Sequence, residues 1–175
     1  SLYVAAAYAP ALLEYEWVLR RSPDNTRALY QVAVLRSWRN ELDTAQVLLR
    51  RYIALEPRDL EGRVSYARVL SWAGQFDASV AQFDTVLARE ADYRDAALGR
   101  AQSLGWAGRF AEADATYRRW IDAHPADTVA HIERARVLSW GGALDDALAI
   151  YQRFESNIDA AKGVARVLAW KGDLI

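Results

Sequence analysis

The sequence predicts an all-α protein built as a solenoid of antiparallel helix pairs, and three observations in its 175 residues carry that prediction. First, Trp38, Trp72, Trp106 and Trp140 follow one another at a fixed step of 34 residues, and Trp170 comes 30 residues after the last. Second, other columns keep the same step. Ala33, Ala67, Ala101, Ala135 and Ala165 stand five residues before the tryptophans, and Gly74, Gly108 and Gly142 stand two after them, with Asn40 in that place in the first copy. Third, Pro23, Pro57 and Pro125 form a further column, in which Ala91 replaces proline. Such a stride marks repeats that bury their apolar faces on one another.

Each copy reads as two helices. The first carries apolar residues at helical spacing, as in Val64, Ala67 and Leu70, and stops at a glycine suited to a left-handed C-terminal cap. After a short link, Asp43, Asp77 or Asp145 is placed to cap the second helix. That helix repeats a small residue followed four positions later by a large one: Ala11/Tyr15, Ala45/Leu49, Ser79/Phe83, Ala113/Tyr117 and Ala147/Tyr151. The small residue lets the helices approach and the large one fills the space beyond it. Proline then ends the pair, because it cannot continue a helix.

The stride divides the chain into a partial repeat at 1–25, repeats at 26–59, 60–93 and 94–127, a shortened repeat at 128–157 and a partial repeat at 158–175. The first segment is expected to supply the end of a first helix plus a second helix, and the last a first helix alone. Four residues are missing around Ser156-Asn157-Ile158, where a change of pitch is expected. The absence of methionine points to a processed or partial chain, with more repeats or a partner covering both ends.

The 34-residue step and the pattern small–x6–Gly–x4–Ala–x3–aromatic–x7–Pro resemble the tetratricopeptide repeat (TPR) over essentially the whole chain. That resemblance implies a right-handed superhelix whose first helices line a concave groove for extended peptides. The segments Arg68-Val69-Leu70-Ser71-Trp72-Ala73-Gly74, Arg136-Val137-Leu138-Ser139-Trp140-Gly141-Gly142 and Arg166-Val167-Leu168-Ala169-Trp170-Lys171-Gly172 are similar to repeats in periplasmic scaffold regions of bacterial exopolysaccharide-export proteins. This second resemblance implies a bacterial envelope setting, periplasmic rather than cytoplasmic, and a possible polysaccharide pathway. The family's large residue early in the first helix is replaced by Leu29, Arg63, Ala97 and His131, so looser packing is expected there.

Composition narrows the function classes. Apolar residues make up 53%, slightly above the roughly 45–50% of globular chains. A net charge of −1 gives no reason to expect nucleic acid as a partner. Lys162 and Lys171 are the only lysines among 22 basic residues; the arginine bias suits bidentate recognition or reflects codon usage. With no cysteine there are no disulfides, thiol nucleophiles or thiolate metal sites. No apolar run is long enough for direct membrane insertion. His124 and His131 flank a proline turn near Asp122, Asp127 and Glu133, but the ligands straddle a helix break, and surface or capping roles are the ordinary reading. Asp145-Asp146 reads as a helix N-terminal charge pair rather than a catalytic dyad. No phosphate-binding, dinucleotide-binding or nucleophile-elbow motif is present. No catalytic residue, metal or cofactor is expected, and the chain is read as a non-enzyme.

The tryptophan column remains. At ~100° per residue, the indole five positions after the alanine falls opposite the face between paired helices. So does the residue just after the alanine: Val34, Arg68, Gln102, Arg136 or Arg166. A row of Trp38, Trp72, Trp106, Trp140 and Trp170 beside those residues, with Ser37, Ser71, Gly105 and Ser139 between, offers ring stacking and forked hydrogen bonds. The competing reading is that each indole plugs the seam between repeats. Three functions follow in order: a scaffold binding protein or peptide partners in the groove, a structural subunit docked on a large membrane-associated complex, and an enzyme. Aromatic rows also suit sugar rings, and the arginines favour an anionic ligand, partly offset by Asp95 and Glu133.

Overall fold

A computed structural model describes the backbone of residues 2–172 and the side chains of residues 8–172. Within it run ten helices and no strand: α1 (Leu2–Arg21), α2 (Thr26–Trp38), α3 (Leu42–Leu55), α4 (Leu60–Trp72), α5 (Phe76–Leu87), α6 (Arg94–Trp106), α7 (Phe110–Ala123), α8 (Thr128–Trp140), α9 (Leu144–Gln152) and α10 (Ile158–Lys171). They form two compact units, residues 1–91 with α1–α5 and residues 92–175 with α6–α10. In each unit a helix packs on the next in sequence, and successive first helices also touch: α2 on α4, and α6 on α8 on α10.

First helices stop where glycine takes the left-handed conformation. The φ values are +75° at Gly74, +76° at Gly108 and +86° at Gly142, and Asn40 takes the same role at +63°. In the second repeat Gln75 N–H donates to Leu70 C=O at 2.9 Å and Gly74 N–H to Ser71 C=O at 3.0 Å, and the pairs recur in the neighbouring copies. These bonds close a Schellman turn and satisfy carbonyls that the helix end would orphan. The turn leads directly into the second helix.

Helix starts differ from the sequence expectation. Asp43, Asp77 and Asp145 do not cap the second helices; they lie in the first turn, behind Glu41, Gln75 and Ala143, none of which makes a side-chain cap. There they complement the helix dipole only. Side-chain caps occur instead on the first helices, at Asn25, Asp59, Asp127 and Asn157. Three of these fall two residues after the prolines. Where Ala91 replaces proline, the cap position is Tyr93 and no side-chain cap forms. At the amino-terminal end, α1 runs unbroken through Pro10, where the end of one helix and the start of another were expected.

The core follows the columns. Ala33, Ala67, Ala101 and Ala135 are completely buried against Ala45, Ser79, Ala113 and Ala147, which are equally closed off. Ser79 Oγ tolerates this because it donates to Ala67 C=O at 2.8 Å. The looser packing expected at the replaced family position is not found at Leu29, Ala97 or His131, all buried. His131 is therefore no surface residue. Its Nε2 lies 3.1 Å from Pro125 C=O and its ring packs on Phe154. His124 does cap, ending α7 with its ring stacked 3.8 Å from that of Trp120. The residues missing from the shortened repeat come out of α9, nine residues long where α3 and α7 have 14.

Candidate functional site

Trp38, Trp72, Trp106 and Trp140 each end a first helix, Trp170 lies one residue short of the end of α10, and all five stand two residues before the left-handed turn. This position sets their surroundings. The alanine one and a half turns earlier faces the paired second helix, so the indole faces away from it. Exposure is 55% at Trp38, 48% at Trp72, 39% at Trp106, 37% at Trp140 and 51% at Trp170. By contrast Trp120, on a second helix, keeps 7%. The column is thus neither a core plug nor a free surface row: every ring is part packed and part open.

The packed part is visible at Trp140. A Cβ on Gly105 of α6 would lie 3.6 Å and 3.9 Å from two atoms of the Trp140 ring and 2.9 Å from Val137 Cγ2. The indole of one repeat therefore rests on the small residue that precedes the previous tryptophan. That column, Ser37, Ser71, Gly105 and Ser139, is buried and does not lie open between the indoles as expected. Ser37 Oγ donates to Val34 C=O and Ser139 Oγ to Arg136 C=O, each at 2.7 Å. These hydroxyls serve their own helices and offer nothing to a ligand.

Arg68, Gln102, Arg136 and Arg166 are half-buried, four residues before Trp72, Trp106, Trp140 and Trp170, so each shares a helix face with its indole. Arg166 Cζ lies 5.9 Å from the Trp170 ring centre, within cation–π reach. Arg136 Nη1 lies 3.1 Å from Glu133 Oε1. Burial pushes the Glu133 carboxyl above its ordinary range, Arg136 opposes this, and Asp159 adds to it. The face of α6–α10 is consequently mixed in charge, with arginines beside acids. Among the described residues no three His, Asp or Glu side chains are grouped so as to hold a metal, and no described helix is long and apolar enough to cross a membrane.

Sequence reasoning missed one member. The Tyr8 ring tilts against Trp38 at 5.1 Å and is itself exposed, extending the aromatic row onto α1. Its signal was a further column, since Tyr8, Leu42, Phe76, Phe110 and Leu144 recur at the same 34-residue step, the last four just past a turn and Tyr8 within α1.

No protein-family model matches the sequence, and no characterised protein matches it at the sequence level. Solved structures do match the fold. A tetratricopeptide repeat protein from Parabacteroides merdae superposes with a TM-score of 0.84 at 17% identity, over 95% of this chain and 66% of that one. PilW, described as a widely conserved type IV pilus biogenesis factor, gives 0.80 at 24% identity, over 98% of this chain and 84% of that one. YrrB, described as a TPR protein with an unusual peptide-binding site, gives 0.64 at 17% identity, over 91% and 84%. The chain spans less than two thirds of the first of these proteins. At such identities the likeness shows the fold, antiparallel helix pairs of the TPR kind, and none of the three is named as an exopolysaccharide-export protein.

Proposed function

We propose that the protein is an interaction and assembly scaffold that holds an extended protein or peptide partner along the first-helix face, with no catalytic role. One observation carries this reading. The five indoles at the first-helix ends keep between 37% and 55% of their surface, while the alanines five residues before four of them keep none. Solvent-facing tryptophan repeated at one position is costly to leave exposed and is the residue most enriched, with arginine, among binding hot spots. Arg68, Arg136 and Arg166 favour a partner carrying carboxylates between apolar side chains. The TPR-like fold supports the same class, since one structural neighbour is named for a peptide-binding site and another for pilus biogenesis. Placement in a bacterial envelope belongs to the proposal and is supported by the heptapeptide resemblance alone. A second reading, a structural subunit docked on a larger membrane-associated complex, is favoured by the exposed Leu13 and Trp17 of α1.

The test is to pan a library of random linear peptides on the protein and measure affinity by fluorescence anisotropy. Arg136→Ala and Trp140→Ala should each weaken selected peptides by about tenfold, roughly 1.4 kcal/mol, with thermal melts still cooperative. Peptides that bind equally well to both variants would place recognition elsewhere.

A further inference from the structure

An indole offers a partner two things, an aromatic face and one N–H donor. On α7 the donor is spent, since Trp120 Nε1 donates to Asp127 at 2.9 Å. Trp38, Trp72, Trp106 and Trp140 each belong to a complete hairpin, and their N–H groups meet no acceptor among the described residues. At Trp140 the edge that rests over Gly105 is Cε3–Cζ3, the side of the ring away from Nε1. Packing therefore leaves the donor side open. Basic groups stand beside the rings, because Arg68 and Arg136 share a helix face with Trp72 and Trp140.

The step of the row selects among the conformations a partner segment can take. Within one unit α2 touches α4, and within the other α6 touches α8. Equivalent indoles are thus separated by roughly the 8–10 Å between packed helix axes. A helical peptide repeats a face every ~5.4 Å, with its carbonyls already bonded. A β-strand repeats a face about every 7 Å. A polyproline II segment repeats every third residue, roughly 9 Å, and none of its carbonyls is bonded internally. That conformation alone matches both the step and the unspent donors.

Resting on the scaffold reading above, we infer that the partner segment is a polyproline II stretch with proline at every third residue, set on successive indoles. Each proline ring stacks on the open part of an indole while a neighbouring carbonyl accepts from Nε1–H. An acidic residue between prolines faces Arg68 or Arg136, which satisfies the charge of that face. Such a segment is stiff before it binds, so little ordering entropy is lost. The pairs Trp38/Trp72 and Trp106/Trp140 each accept one stretch.

Two labelled synthetic peptides of equal composition test this by fluorescence anisotropy on the 175-residue chain. One carries proline at every third position with glutamate between; the other has the same residues reordered so that no two prolines stand three apart. The first should bind at least roughly tenfold more tightly. Trp38→Phe, Trp72→Phe, Trp106→Phe and Trp140→Phe combined keep aromatic faces and remove the donors. That variant should bind the first peptide about tenfold more weakly, with its thermal melt still cooperative. Equal affinity for the two peptides, or a folded fourfold variant that binds as well as the wild type, would overturn the inference. Panned peptides that bind the tryptophan face without the proline period, and are not displaced by the first peptide, would overturn it while leaving the scaffold reading intact. A chain that binds no peptide at all would remove both.

Discussion

At Gly163 the usual ranking of helix formers reverses. A Cβ there would fall 2.5 Å from the Tyr151 ring, and Tyr151 is fully buried and cannot swing aside. Gly163→Ala, which at an open helical site gains ~1 kcal/mol, should here cost about 1–3 kcal/mol by overpacking, read by urea unfolding. Asp127 is the other residue on which much converges. Its carboxylate takes two bonds from Arg94, at 2.7 Å and 2.9 Å, one from Trp120 Nε1 at 2.9 Å and the cap bond from Ala130 N–H. Arg94 above all, then Trp120 and the Ala130 amide, holds it well below the usual carboxylate range against the cost of burial. The folded state therefore prefers the ionised form. Its contribution is complete above the unfolded pKa near 3.9 and fades as pH falls below it. Asp127→Asn should lose about 2 kcal/mol at neutral pH, and the gap to wild type should narrow steadily as the pH is lowered. A gap that stays constant down to strong acid would mean the charge contributes nothing.

At the scale of elements, the turn after each first helix decides where the second can begin. Gly74 has open space around its missing Cβ, so only its φ of +75° resists substitution. Gly74→Ala should cost about 1 kcal/mol, the penalty of the left-handed region for a residue with a Cβ, measured as a lowered melting temperature. The glycine column was legible in the sequence because a left-handed cap has almost one chemical solution, with Asn40 as the tolerated exception. The capping aspartates were misread because Asp43, Asp77 and Asp145 sit two residues inside helices that begin without a side-chain cap. The caps that exist have a column of their own: Asn25, Asp59 and Asp127 fall on the 34-residue grid with Tyr93 in the gap, and Asn157 follows 30 residues after Asp127. They lay in a column the proline signal overshadowed.

For the molecule as a whole, the hairpin order was legible because each repeat buries the same columns, so packing writes its period into the residues. The candidate face was legible only in part. Helical geometry alone turns the indoles and the Arg68, Gln102, Arg136 and Arg166 column away from the paired helix. How much of each indole stays open depends on the neighbouring hairpin, as when Trp140 rests over Gly105, and no spacing within one repeat encodes that. The same dependence makes His131 buried and the serines of the tryptophan segments part of the packing. Hydroxyl-radical footprinting read by peptide mass spectrometry tests the central claim most directly. The account predicts that Trp38, Trp72, Trp106, Trp140 and Trp170 are oxidised readily in the free chain while Trp120 is spared, and that a bound panned peptide protects members of the row. Indoles as inert as Trp120 in the free chain, or a bound peptide that leaves the row's reactivity unchanged, would contradict it.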